Sequence, residues 1–290
     1  MIEIIPVTGC TGSECYLLVS ENHGFLVDTG YAFCADATAQ NIANALGART
    51  LDYILLTHSH YDHVGGLSAM RRTWPKTEVV ASRYAKDILS RRRARDVIRS
   101  LDDKAAAKRG GIAMREDFTA GFAVDRTVKE GDVLYVDGIS ISVMETPGHT
   151  KCSVSYYFRE DDLLVLSEST GIRPVTSDVS PTFIVSYRDV IKAIDRSERM
   201  APRRILIAHS GSESGDGVKK YFKDARAAAE AVAEWILAEH KLGKSLDEII
   251  ESYTAEFFIG SANRYQPLEA FVLNARTMIP RLIEEFERSQ

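Results

Sequence analysis

The stretch ILLTHSHYDHVGG, residues 54–66, constrains this chain more than any other. An apolar, partly β-branched run stops at Thr57; His58, His60, Asp62 and His63 follow, and a Gly-Gly pair then turns the chain. The run "LDYILLT" is too apolar for a half-exposed strand, so it is expected inside a sheet covered on both faces. Four ligand-type residues packed behind a buried strand form a metal-binding pattern, whereas a lone histidine would more often be a packed or surface residue. The irregular turn frees His58 and His60 from strand alternation, so both can converge on one ion while Asp62 and His63 face a second. Imidazole nitrogens with a carboxylate suit zinc, or iron and manganese where the site is more open.

The surrounding pattern predicts a sheet-rich chain. "IEIIPV", "CYLLVS" and "HGFLVDTG" read as short strands, the last two joined by the turn "ENHG". A helix is expected over Ala35–Leu46, and the strand "EVVAS" follows the Gly-Gly turn after a short helix. Residues 83–126 are charged and Ala-rich, which predicts helices inserted between sheet elements. Strands resume with "VLYV", "ISISVMET", "SVSYYF" and "LLVLS", then a helix over Tyr187–Met200 and a last strand, "RRILIAH". Two packed sheets with helices outside fit this order. Beyond residue 213 the character changes. Residues 216–242 carry one apolar stripe of a long helix, Ser245 with Glu248 forms a capping-box pattern, and Pro267 opens a third helix interrupted by Pro280. The expected domains are therefore 1–213 and a helical region over 214–290.

Two further histidines extend the opening cluster. His149 follows "ISVMET" in the turn "PGHT", and His209 follows "RRILIA" in the turn "HSG", so each stands where a strand runs out into a loop, as His58 does. Strand ends at one sheet edge are a usual place for ligands and catalysis. His23 and His240 have no such setting and are expected at the surface.

Charge and composition narrow the partners. The formal charge is −5, which argues against nucleic acid; Arg91, Arg92, Arg93 and Arg95 read as a solvated helix face. No apolar run approaches a membrane span, and "MIEIIPVTG" lacks the charged and apolar regions of a secretory leader, so cytoplasm is the expected location. The four cysteines, Cys10, Cys15, Cys34 and Cys152, are irregularly spaced and are expected to be reduced and buried.

"THSHYDHVGG" is similar to the signature of the metallo-β-lactamase superfamily, and the other matches follow in that family's chain order. Asp28 in "LVDTG" corresponds to the early aspartate that supports the metal loop. The resemblance covers residues 1 to about 213. It implies an α+β fold, a four-layered αββα sandwich with the site at one edge of the two sheets, here followed by a C-terminal helical appendage. It also implies two divalent metal ions, zinc first: His58, His60 and His149 for one, and Asp62, His63 and His209 for the other. One position departs from the family's pattern. Where an aspartate usually bridges the metals, "LLVLSESTG" offers Glu168, with the same charge and one more methylene. Glu168 is expected as a ligand, bridging if its backbone sits back or binding one ion only. Asp161 and Asp162 should lie at the other end of that strand, and Asp178 is a less favoured substitute.

The implied chemistry is hydrolysis. Two cations about 3.5–4 Å apart share a water and lower its pKa to near neutrality; the metal-bound hydroxide attacks an acyl carbon, and Asp62 orients it and later moves a proton to the leaving group. The segment "LGKSLDEIIESY" resembles the C-terminal helices of thioesterase-type members and hydroxyacylglutathione hydrolases, which favours a thioester, ester or lactone of a small molecule. Phe257, Phe258 and Tyr265 either wall an acyl pocket or pack helices together. The alternatives are a mononuclear iron persulfide dioxygenase and a regulatory protein with little catalysis. Expected partners are a small acyl substrate, no nucleic acid and no membrane, with a homodimer left open.

Overall fold

The computed structural model describes residues 1–13, 15–114, 116–173, 179–258 and 266–288. The chain divides into two compact units: Met1–Glu145 with Val154–Leu163, and Thr146–Ser153 with Leu164–Gln290. The first unit holds a six-stranded sheet in sequential order, β1 (Glu3–Pro6), β2 (Tyr16–Val19), β3 (His23–Val27), β4 (Thr50–Leu55), β5 (Glu78–Ser82) and β6 (Arg126–Val128). The first three strands are antiparallel; β3 to β6 run parallel, with Leu26 opposite Ile54 and Val27 opposite Leu55. From Tyr53 through Thr57, strand β4 and its extension are buried, as the apolar run Tyr53–Leu56 requires, while Thr50 is exposed and Asp52 half-buried.

Helix α1 (Ala35–Leu46) makes the crossover from β3 to β4, burying Ala35, Thr38, Ile42 and Leu46 along one face. Short helices α2 (Tyr61–Val64) and α3 (Leu67–Thr73) follow β4. The segment expected to be a helical insertion contains α4 (Arg83–Ser90) and α5 (Arg92–Lys108), and it returns to the sheet as β6. Arg91, Arg92 and Arg93 are exposed, as a solvated helix face should be, while the Arg95 guanidinium donates to the carbonyls of Leu89 and Phe122. Asp102 of α5 is fully buried and accepts the Ala32 backbone N–H at 2.8 Å. Burial pushes its carboxyl up to about 7.

The second sheet has the order β12-β11-β10-β9-β8-β7, formed by β7 (Val133–Val136), β8 (Ile139–Glu145), β9 (Val154–Phe158), β10 (Leu163–Val165), β11 (Arg204–Ile207) and β12 (Gly211–Ser214). Within the first unit, β9 packs on the first sheet: Phe158 meets Phe25 edge-on at 5.4 Å, and the Tyr156 hydroxyl donates to the Leu56 carbonyl at 2.8 Å. Strand β12 was not expected, because "GSES" is polar. It is a half-exposed hairpin partner of β11, an edge position where polar residues are tolerated.

The second unit adds α6 (Tyr187–Arg199), α7 (Asp216–Lys241), α8 (Leu246–Phe257) and α9 (Leu268–Glu287). Ser245 and Glu248 form the reciprocal capping box at the start of α8, and Pro280 lies inside α9. Phe257 meets Trp235 and Tyr253, and Phe258 meets Phe271, with ring centroids 4.7–5.3 Å apart. Both phenylalanines therefore pack the C-terminal helices together; Tyr265 and Asp178 lie outside the described residues. Among the described residues no helix is long and apolar enough to cross a membrane.

The expectation of four reduced cysteines is overturned at one pair. Cys10, after β1, and Cys34, just before α1, form a disulfide with Cα atoms 6.1 Å apart. The loop after β1 doubles back on α1: Gly9 donates to the Thr38 hydroxyl at 2.8 Å, and a Cβ on Gly9 would overlap the Cys34 carbonyl. That proximity spans 24 positions and leaves no trace in the cysteine spacing. Cys15 and Cys152 are buried thiols. Titration of the unfolded, unreduced chain should therefore count two thiols, and reduction should raise the count to four. Four thiols before reduction would contradict the bridge.

Candidate metal centre

The first unit carries four of the expected ligands on one turn. Asp28, the residue after β3, adopts φ +57°, and its N–H donates to the Leu55 carbonyl at 3.1 Å. Beside it the chain leaves β4 through Thr57 and His58. The Asp28 carboxylate accepts three hydrogen bonds here, from the Thr57 N–H, the Thr57 hydroxyl and His63 Nδ1–H, each at 2.8 Å. The Thr57 hydroxyl has one proton and spends it on Asp28, so toward His58 Nδ1, 3.1 Å away, it can only accept. Nδ1 of both His58 and His63 therefore carries its proton, and Nε2 of each is left as the donor atom for a cation.

Packing fixes the rest of the turn. The His58 ring lies 4.6 Å from that of His60 and 4.0 Å from that of His63. Asp62 sits in the first turn of α2, its carboxylate 3.8 Å from His63 Nε2, and the Ser13 hydroxyl donates to its backbone carbonyl. The Gly65-Gly66 pair is required by close approach: a Cβ on Gly66 would overlap the Thr29 carbonyl, and one on Gly65 would collide with the Ala32 nitrogen.

The second unit carries the other three. His149 Nδ1–H donates to the Thr182 carbonyl at 2.9 Å, and the His149 backbone N–H donates to Ser169 Oγ at 3.0 Å. Its Nε2 then points at Glu168 Oε2, 3.4 Å away. Glu168 opens a short 3-10 turn, Glu168–Thr170, capped by the Ser167 hydroxyl. Its other oxygen, Oε1, lies 2.9 Å from His209 Nε2. His209 follows β11 at φ +57°. One buried carboxylate thus stands between two buried imidazoles, an oxygen toward each. The Glu168 backbone is wound into this turn rather than extended along β10.

Asp161 and Asp162 lie before β10, as expected; Asp161 accepts the Ile2 N–H at 2.5 Å and Asp162 accepts the Tyr157 hydroxyl at 2.7 Å. His23 is half-buried between Asp52 and Asp137, 3.1 Å from each, rather than free on the surface. Thr57, Thr182 and Ser169 act behind the histidines and were missed by sequence reasoning. Thr57 adjoins the motif and was within reach; the other two sit in loops with no local signal.

Comparisons with known proteins bear on the family and the fold. A family model described as the metallo-beta-lactamase superfamily matches residues 8–209. A hydroxyacylglutathione hydrolase from Rhodopseudomonas palustris is 30% identical over 160 residues, 53% of this chain and 50% of that protein. The chain thus spans about half the length of the relative it matches. A metallo-beta-lactamase family protein from Thermus thermophilus superposes with a TM-score of 0.67 at 19% identity, covering 99% of this chain and 93% of the other. An archaeal superfamily protein from Sulfolobus tokodaii gives 0.61 at 20% identity, covering 98% of each chain. By sequence and by fold, this chain belongs to the metallo-β-lactamase superfamily.

Proposed function

We propose that the chain is a metal-dependent hydrolase that cleaves an acyl bond of a small-molecule thioester, ester or lactone at a centre of two divalent cations, zinc first and iron or manganese as alternatives. In this reading His58, His60 and His149 hold one ion, and Asp62, His63, Glu168 and His209 hold the other. The observation that carries it is where the ring protons go. Nδ1 of His58, His63 and His149 is committed to an acceptor behind each ring, which leaves three Nε2 atoms as donors. Imidazole and carboxylate donors suit these cations. A family model running unbroken from residue 8 to 209 supports treating the ligands of both units as one set.

When bound, such cations would supply Lewis acidity toward an acyl oxygen and acidify a water. The chain's own side chains do the rest. Asp62 orients the nucleophile and carries a proton to the leaving group, with Ser13 and the first turn of α2 holding its backbone. Asp28 and Thr57 keep His58 and His63 in the tautomer that a cation needs. Relatives named hydroxyacylglutathione hydrolase cleave an acyl-glutathione, as the name states, which puts a thioester first among the three bonds. The helical region over 214–290 is the proposed determinant of substrate entry.

Metal analysis should return two divalent ions per chain, and His149→Ala should lose at least one, with hydrolysis of an acyl-thioester, ester and lactone panel falling by roughly a thousandfold. Full metal content and rate in that variant would sink the ligand assignment; a single iron with oxygen uptake on a persulfide would replace hydrolysis altogether. Asp28→Asn, whose amide nitrogen cannot accept, should weaken metal binding by about 10–100-fold in a chelator competition. Glu168→Gln should weaken one ion more than the other. Glu168→Asp keeps the charge but stands about 1.5 Å short, so it too should lose affinity. Unchanged stoichiometry and affinity in both Glu168 variants would leave Asp62, His63 and His209 as the whole second set.

A further inference from the structure

The turn that carries Glu168 is held from a part of the chain that the family model does not reach. The Ser167 carbonyl accepts the Thr170 N–H at 3.2 Å and the Thr170 hydroxyl at 3.1 Å. The Glu168 carbonyl accepts the Gly171 N–H at 2.9 Å and the Thr182 hydroxyl. The carbonyls of Thr170 and Gly171, at 3.1 and 2.8 Å from the Tyr221 phenol oxygen, share its one proton, with Gly171 the nearer acceptor. Tyr221 stands in the second turn of α7, twelve positions beyond the last residue of the family match, and is fully buried.

The contact is built rather than incidental. Arg173, just after the turn, places its guanidinium 5.2 Å from the centre of the Tyr221 ring and pairs with Glu213 at 2.7 Å and with Asp224 of α7 at 3.4 Å. Its backbone N–H donates to the Ser210 hydroxyl at 2.7 Å, next to His209. Gly171 leaves the turn at φ +86°, where a side chain would press on Val179, so the exit direction is set. Burial raises the pKa of the Tyr221 phenol, so it stays protonated and able to donate.

We infer that Tyr221 is a positioning residue for Glu168: its hydroxyl fixes how far the Glu168–Gly171 backbone sits back, and thereby where the longer carboxylate arrives between His149 and His209. The inference rests on the proposal that Glu168 is a metal ligand. It gives α7 a part in the metal site through the main chain alone, without contributing a ligand.

The test is Tyr221→Phe in the full chain, stripped of metal by chelation and titrated with Zn²⁺ against a chromophoric chelator, so that the two stepwise affinities are read without any assay of activity. Phenylalanine keeps the ring, its burial and its contact with Phe222, so the variant should fold. Losing one hydroxyl donor from a buried turn should weaken the second ion by about three- to tenfold and leave the first unchanged. Val232→Ala is the control for stability alone. It removes buried apolar atoms from the same helix, about 16 Å further along its axis, and should leave both affinities unchanged. Unchanged affinities in Tyr221→Phe, equal weakening of both ions, or the same loss in Val232→Ala would each overturn the inference. Glu168→Gln separates the two levels. If it weakens the second ion while Tyr221→Phe does not, only the role of Tyr221 fails; if neither variant weakens it, the ligand role of Glu168 fails first.

Discussion

The hydrogen bonds into the Asp28 carboxylate are what the histidine turn depends on. A buried aspartate is costly unless its oxygens are satisfied, and here three donors converge on it: one N–H, one hydroxyl and one imidazole N–H. Two of them come from Thr57, which welds the end of β4 to the end of β3. The third comes from His63, six residues further on, and closes the turn back on the same carboxylate. The proton order follows from this one acceptor. Because Asp28 takes the Thr57 proton, His58 must supply its own, and both rings are held in the tautomer that presents Nε2. The same contact explains why Asp28 occupies a backbone region that side chains rarely adopt: the strained residue sits where its carboxylate has the most to receive.

The second unit solves a similar problem with a different device. Glu168 brings a buried negative charge beside two imidazoles, one at each carboxylate oxygen. The imidazole nitrogens lie 3.4 and 2.9 Å from those oxygens, so the carboxylate is closely flanked on both sides. The supporting turn is dense with Ser and Thr: Ser167, Ser169, Thr170, Thr146 and Thr182 all bond within it or to it. Short hydroxyl side chains can satisfy a tight turn where longer polar groups would not fit. The turn, together with the side-chain length of Glu168, then decides where the carboxylate arrives.

The helices after β12 have a packing logic of their own. Trp235, Tyr253, Phe257, Phe258 and Phe271 form a linked set of ring contacts, tilted, stacked and edge-on, that ties α7, α8 and α9 into one layer. Of the two uses open to Phe257 and Phe258, walling an acyl pocket or packing helices, the ring contacts show the second. What α7 delivers toward the Glu168 turn is a phenol and a carboxylate, Tyr221 and Asp224, from the end of the helix nearest β12.

The sequence by itself determined what short-range pattern can encode. The apolar run before Thr57 announced a buried strand, His58 to His63 announced a turn rich in candidate ligands, and Ser245 with Glu248 announced the start of α8. In each case the interacting residues lie within a few positions of one another, so spacing is enough. His149, Glu168 and His209 were legible as ligand candidates because each ends a strand or follows one. Only the tertiary structure decided how they are held. Thr182 reaches His149 from 33 positions away, Tyr221 reaches Gly171 from 50, and Cys10 meets Cys34 across 24. None of these partners is marked by its neighbours in the chain, since a carbonyl, a phenol or a thiol becomes specific only when folding brings its acceptor or partner within bonding distance. The polar strand Gly211–Ser214 was hidden for the same reason: edge pairing is a property of the partner strand, and residue preference alone does not reveal it.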